Sequence, residues 1–231
     1  MTDNFSFDDI KEKFKNNKFF RFGSIALSAL LIGVVVFLGY KQFIWKPDNE
    51  KSKSSWNVPL NFIVKEQIAN SSQNKNLKND TLPAIDPIKK LQGVVKKYDG
   101  KIGGEISKYI LATQYMRNGK YKQALVLLED ISVEDTYMSA MIVGLQGDCK
   151  SEMKKYAEAI ELYDEASKIN ENNFTSPMYL FKAGLNSEKL KKNAEATAYY
   201  EEIAFHYPNS LEAKQKNMNK YKARSENKKI N

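Results

Sequence analysis

The chain has 231 residues and a formal net charge of +8, from 36 Lys and Arg against 28 Asp and Glu. A single cysteine, Cys149, excludes an internal disulfide, and with one histidine, His206, the usual multi-ligand metal sets are missing too. Much of the positive surplus lies in the tail, where Lys214, Lys216, Lys220, Lys222, Arg224, Lys228 and Lys229 face only Glu212 and Glu226. Such a tail suits a solvated end, and it is also the kind of charge that meets nucleic acid or an anionic surface.

Residues 1–21 read as a charged leader. Ser6, Phe7, Asp8 and Asp9 have capping-box spacing, and Phe7, Ile10 and Phe14 follow at helical intervals. The pattern predicts a short amphipathic helix from about Phe7 to Asn17, lying near a membrane interface. Phe22 to Tyr40 (FGSIALSALLIGVVVFLGY) then carries no charge, between Arg21 and Lys41. At ~1.5 Å per residue this run is roughly 28 Å long as a helix, close to a bilayer core. It exceeds a usual signal-peptide apolar region and no A-x-A-like site follows it, so a retained anchor is expected. Phe19, Phe20 and Phe22 on one side, and Tyr40, Phe43 and Trp45 on the other, suit aromatic belts over 22–45. Pro47 is predicted to end the helix. Five basic residues precede the span and Lys41, Lys46, Lys51 and Lys53 follow it, a small bias toward a cytoplasmic N-terminus.

Lys46 to Ser55 reads as a polar linker, and Asn70 to Asp80 as a polar loop between helices. Around that loop, 56–104 predicts a pair of helices: Trp56, Leu60, Ile63, Val64 and Ile68 in the first, Ile88, Leu91, Val94 and Val95 in the second, with Pro87 in its first turn.

From Glu105 the chain repeats itself. GKYKQALVLLEDI (119–131), KKYAEAIELYDEA (154–166) and KKNAEATAYYEEI (191–203) align, with Ala124, Ala159 and Ala196 each followed four positions on by Leu128, Tyr163 or Tyr200. An apolar, helix-length stretch precedes each, carrying Ala112, Gly147 and Gly184. Small residues on both helices of a pair let the backbones approach, and the bulky residue fills the groove beside them. Pro208 follows the third segment where a proline between repeats is expected. The pattern resembles the tetratricopeptide repeat, a helix-turn-helix unit with a period of ~34 residues. The expected fold is therefore all-α: one transmembrane helix, then a tetratricopeptide α-solenoid with repeats at 105–138, 140–173 and 177–208. A capping helix and basic tail follow over 209–231, with Ser210 as cap and Leu211, Met218 and Tyr221 on the inner side. Asn193 departs from the repeat pattern where Tyr121 and Tyr156 keep it, and Thr136 and Glu171 stand where proline would be expected.

Catalytic constellations are scarce. His206 reads as a general base or as a helix-end residue favoured by the dipole. Cys149 reads as a redox thiol or as a small core residue. Asp148 and Glu152, four apart, read as a carboxylate pair or as a solvated acidic patch, and Tyr199-Tyr200 as a base-stacking platform or as core. Asn70, Asn79 and Asn173 head glycosylation-type triplets that arise by chance in a chain rich in Asn and Ser. No enzyme activity, metal, cofactor, nucleic acid or small-molecule substrate is expected.

Binding of proteins is. The tetratricopeptide resemblance implies that the first helix of each repeat lines a concave surface. In register these positions are Ile106, Tyr109, Thr113 and Met116; Met141, Gly144, Asp148 and Glu152; Met178, Phe181, Leu185 and Lys189. The Lys and Asn positions of the carboxylate-clamp subfamily are here Tyr109, Thr113, Gly144 and Asp148, so no clamp is expected, and the groove reads as mostly apolar. With its leader, span and repeats, and above all with GLQGDCKSEMKKYAEAIELYDEASKINENNFTSPMYLFKAGLNSEKL, the chain resembles membrane-anchored tetratricopeptide proteins of the ancillary SecYEG translocon subunit type, in their bacteroidete branch. The domain is also similar to that of the cell-division coordinator. The resemblance implies a single-pass bacterial inner-membrane protein with a periplasmic domain, and as partners the translocon, chaperones or secreted chains. The alternative is an assembly factor for envelope or cell-division complexes that acts through its transmembrane helix.

Overall fold

The computed structural model describes residues 7–71, 86–215 and 218–225. Every regular element among them is helical, and the chain divides into two units, Met1–Lys51 and Ser52–Asn231.

The first unit begins with α1 (Phe7–Asn16), as the Phe7, Ile10, Phe14 spacing predicts; Ser6 lies outside the described residues. Asn17 separates α1 from α2 (Lys18–Tyr40), its side chain accepting the Phe20 N–H at 3.1 Å. None of the residues of α2 is buried against another part of the protein. Its 23 residues rise roughly 34 Å, and it is long and apolar enough to cross a membrane. The polar atoms in this apolar surface are satisfied internally, since the hydroxyls of Ser24 and Ser28 donate to the carbonyls of Phe20 and Ser24.

Pro47 does not end the helix. Residues Lys41–Trp45 form a π-helical turn, closed where the Lys46 N–H donates to the Lys41 carbonyl five residues back, and α3 (Lys46–Ser52) continues through the proline. In a regular α-helix the proline ring presses on the carbonyl four residues earlier. The wider turn falls on that stretch of backbone and relieves it. The polar stretch 46–55, expected as a linker, is accordingly helical as far as Ser52.

In the second unit α4 (Asn57–Ser71) and α5 (Pro87–Lys97) form the expected first pair. α4 runs past Asn70, and the rest of the expected loop lies outside the described residues. Asp86 caps α5 by accepting the N–H groups of Ile88 and Lys89. Six helices follow: α6 (Ile102–Arg117), α7 (Tyr121–Glu129), α8 (Thr136–Glu152), α9 (Tyr156–Ile169), α10 (Thr175–Lys189) and α11 (Asn193–His206). Each helix from α4 to α11 packs on the next in sequence, and α10 also meets α8.

The same turn joins α6 to α7, α8 to α9 and α10 to α11. Gly119, Lys154 and Lys191 adopt the left-handed conformation (φ 69°, 61° and 59°). Their N–H groups bond back to Met116, Ser151 and Glu188, and those of Lys120, Lys155 and Lys192 to Tyr115, Lys150 and Ser187. This pair of bonds satisfies helix-end carbonyls that would otherwise be orphaned. Within each pair the small and large residues meet as expected. Ala124, Ala159, Ala196 and Ala112 are fully buried, as is Tyr200, with Leu128 and Tyr163 nearly so. The Tyr163 ring lies on Gly147 and the Tyr200 ring on Gly184.

Lys108, only 3% exposed, sits in a cage of acceptors. Its Nζ lies 2.7 Å from Asp99, 3.1 Å from Glu105 and 2.8 Å from Asp130, and also donates to the Asp130 carbonyl. Glu105, buried as well, accepts the N–H groups of Gly100 and Ser132. Two loops and α6 are thereby tied together at one point.

The chain closes with α12 (Leu211–Gln215) and α13 (Met218–Ser225). Ser210 caps α12 as predicted, accepting the Ala213 N–H. Met218 and Tyr221 face inward, against α10 and α11, but Leu211 is exposed, contrary to its expected inner position. Arg224 forks onto both oxygens of Glu188, and Lys222 pairs with Glu201. Pro208 occupies the exposed turn between α11 and α12.

Candidate functional site: a groove over α6, α8 and α10

Asp148 of α8 and Lys182 of α10 are brought together because α8 and α10 both pack on α9 and touch each other. Lys182 Nζ lies 2.8 and 2.9 Å from the two Asp148 oxygens. Tyr163, from α9, donates its hydroxyl to the same carboxylate at 2.7 Å. The ammonium also stands 5.7 Å and 5.6 Å from the ring centres of Tyr163 and Tyr179, which stack on each other 6.3 Å apart. Burial, aided by the Asp148 charge, pushes both phenols well above the usual tyrosine range. Lys182 is thus a held cation, with two carboxylate oxygens and two aromatic faces as partners.

Two open cavities adjoin this cluster, of about 500 Å³ and 430 Å³. Both are lined by Asp148, Ser151 and Tyr163, so they form one groove with the polar cluster at its centre. One end adds Leu185, Asn186 and Lys189; the other adds Met116, Arg117, Tyr121 and Glu152. Ser151 donates to Asn186 at 2.7 Å, and the Lys189 ammonium lies over the Tyr156 ring at 4.8 Å. Arg117, Glu152 and Lys189 are exposed at the lips. The surface offers held charges of both signs, amide and hydroxyl groups, and short apolar patches, which suits a polypeptide segment better than a small apolar molecule.

Of the positions expected to face the groove, Met116, Asp148, Glu152, Leu185 and Lys189 line it. Ile106 and Tyr109 instead pack against the core around Leu91 and Ile110, Met178 against the core around Ala159 and Tyr163. Thr113 is half-buried with its hydroxyl on the Ile110 carbonyl, and Met141 is half-buried. Gly144 is buried under the Tyr179 ring. Phe181 is a core residue, 5% exposed, with Tyr221 edge-on at 4.9 Å and Tyr200 at 5.9 Å. Most of the apolar residues expected in the groove are drawn into the helix interfaces, where their burial is worth more; Met116 and Leu185 stay, and the other residues lining the groove are polar, charged or tyrosine.

Sequence inspection missed Lys182, Arg117, Tyr121, Ser151 and Asn186. Lys182 had a signal: it is the one charge within the apolar run MYLFKAGL. Tyr163 was expected only to pack; it does so with its ring edge and serves the groove with its hydroxyl. Cys149 is buried, and burial followed by the Asp148 and Glu152 charges raises its thiol to about 11. Asp148 is occupied by Lys182 and Tyr163. Tyr199 is half-buried between two core clusters, and His206 lies exposed in the last turn of α11, edge-on to Phe205. No protein-family model matches the chain, and no curated protein matches it.

Proposed function

We propose that the chain is a membrane-anchored scaffold of the tetratricopeptide type, without catalytic activity, that binds a segment of another protein in the groove over α6, α8 and α10. The observation that carries this reading is the groove itself: it crosses three helices that occupy corresponding places in successive repeats, with a rigid polar centre and charged lips. Supporting it are the three identical left-handed turns and the small-to-large contacts at matching positions. On this reading α2 anchors the chain in a bacterial inner membrane with the N-terminus cytoplasmic and the repeats periplasmic. The partners there are the Sec translocon, a periplasmic chaperone or an emerging secreted chain. The resemblance carried by the leader, span and repeats supports this placement.

A second reading has its own support. No residue of α2 is buried against the described parts of the chain, so α2 could itself join other spans and make the protein an assembly factor for envelope or cell-division complexes. Purification in mild detergent separates the two. Arg117→Glu with Lys189→Glu removes co-purifying partners if the groove binds, whereas exchanging 22–40 for an unrelated span leaves them in place. The opposite pattern favours the second reading. Protease added outside spheroplasts is expected to remove the repeats; a protected domain reverses the orientation.

A further inference from the structure

Two large aromatic side chains at corresponding repeat positions point into solvent. Tyr137, in the first turn of α8, is 53% exposed, and Phe174, at the start of α10, is 70% exposed. They are separated by the same 37 residues that separate Gly147 from Gly184. The next position in that register, Leu211 at the start of α12, is 54% exposed. Exposed apolar side chains are ordinary when scattered, but recurrence at one register position is not scatter.

The contacts put them on one edge. Asn170, in the loop before α10, donates to the Thr136 hydroxyl at 3.2 Å, so the start of α8 adjoins that loop. Asn172 accepts the N–H groups of both Phe174 and Thr175 at 2.8 Å, which fixes Phe174 just outside α10. α12 packs on α10 in turn. Three residues before each aromatic stands an exposed acid, Glu134 before Tyr137 and Glu171 before Phe174. Neither is held in an ion pair among the described residues; the Glu171 charge acts on Lys168, whose ammonium is itself paired with Asp164. In a chain of net charge +8, a repeated acid-x-x-aromatic edge is a local reversal of sign.

We propose that this edge, separate from the groove, docks a cationic amphipathic segment of a partner protein. Its apolar side chains would rest on Tyr137, Phe174 and Leu211, and its lysines or arginines would pair with Glu134 and Glu171. An aromatic face beside a carboxylate suits a cation with an apolar stem. The sign of the charge argues against an anionic lipid surface as the occupant.

The test uses the full chain in phosphatidylcholine nanodiscs, with a photoreactive phenylalanine analogue in place of Tyr137 and, as control, of Val126, an exposed apolar residue of α7. The probe is a labelled, helical leucine–lysine peptide; its leucine–glutamate counterpart is the negative control. Crosslinking at 137 is expected to exceed that at 126 about tenfold, to fall about tenfold in Glu134→Lys with Glu171→Lys, and, with Glu134 and Glu171 intact, to fall as salt is raised. The leucine–glutamate peptide is expected to give none. Equal yields at the two positions, no effect of the charge reversal, or capture of the acidic peptide would each overturn the proposal. So would crosslinking of position 137 to phosphatidylcholine, which would make the edge a lipid contact.

Discussion

The Tyr200 ring occupies the space that a side chain on Gly184 would need: a Cβ there would stand 2.5 Å from Tyr200 Cε1. Gly147 and Tyr163 repeat the relationship, with 2.7 Å to the ring. The corresponding pair one repeat earlier is Ala112 and Leu128, both in one core cluster. Across the three pairs the small member shrinks from alanine to glycine as its partner grows from leucine to tyrosine. The summed volume is kept roughly constant, as close packing requires.

Gly184→Ala is therefore expected to destabilise the chain by about 1–3 kcal/mol, since the ring it meets is buried and cannot swing away. Gly93→Ala is the opposite case. Nothing lies within 4 Å of its would-be Cβ, in the interior of α5, and alanine there should add about 0.5–1 kcal/mol. Leu128→Tyr alone should cost about 1–3 kcal/mol, with Ala112→Gly recovering a good part of it. Urea unfolding followed by circular dichroism reads all four. A Gly184→Ala protein as stable as the parent would show that the packing here is loose.

Lys154 and Lys191 hold left-handed backbone angles at the turns where Gly119 does so without strain. A side chain in that region costs roughly 1–2 kcal/mol, and the added freedom of glycine in the unfolded chain returns part of the difference. Lys154→Gly and Lys191→Gly should each stabilise by about 0.5–1 kcal/mol, and Gly119→Lys should destabilise by a similar amount. The midpoint of urea unfolding would move up for the first two and down for the third. Movement of all three in one direction would mean that the lysine side chains matter through contacts rather than backbone angle.

The helices and their pairing were legible in the sequence because small and large residues recur at fixed spacing, and packing demands both. α2 was legible from length and apolarity alone. What could not be read was which apolar residues of α6, α8 and α10 face the groove and which face a neighbour. Phe181 and Leu185 are one turn apart on α10, and the placement of Tyr200 from α11 and Tyr221 from α13 makes Phe181 core while Leu185 also lines the groove. The Asp148–Lys182 pair lay hidden for the same reason, since it joins two helices across a third. Pro47 misled because its usual effect on a straight helix is absorbed by the π-helical turn before it.

The buried tyrosines set a limit to stability at high pH. Burial raises the phenols of Tyr163, Tyr179 and Tyr200 well above their usual value, and that of Tyr199 to about 12. In the unfolded chain they ionise near pH 10. Above that pH the native state binds more protons than the unfolded state, so stability is full below about pH 10 and falls as pH rises. The slope grows by about 1.4 kcal/mol per pH unit for each tyrosine involved. Tyr200→Phe should make the decline shallower between about pH 10 and 12. An unchanged slope would mean that the hydroxyl already ionises freely in the folded protein.

Lys108 and its three carboxylates bear unequal parts of their shared contact. Asp99 and Asp130 are largely exposed, with side-chain exposures of 71% and 68%, whereas that of Glu105 is 6%. Burial works against the Lys108 charge, but the carboxylates outweigh it and hold the ammonium well above its usual range. Asp99 is held low by its hydrogen bond from Lys108. Asp99→Asn should then cost less than about 1 kcal/mol, because water already screens that pair. Lys108→Met should cost about 3–5 kcal/mol, since it leaves Glu105 charged and buried with only the Gly100 and Ser132 N–H groups for company. Adding Glu105→Gln to Lys108→Met removes the orphaned charge and should restore much of the loss. The lysine's contribution is present below its unfolded value near pH 10.4 and is lost above it, so Lys108→Met should also flatten the alkaline limb of the stability curve. If the single Lys108→Met substitution cost no more than Asp99→Asn, the cage would be a surface ion pair in effect, and the two loops would be held by their backbone contacts alone.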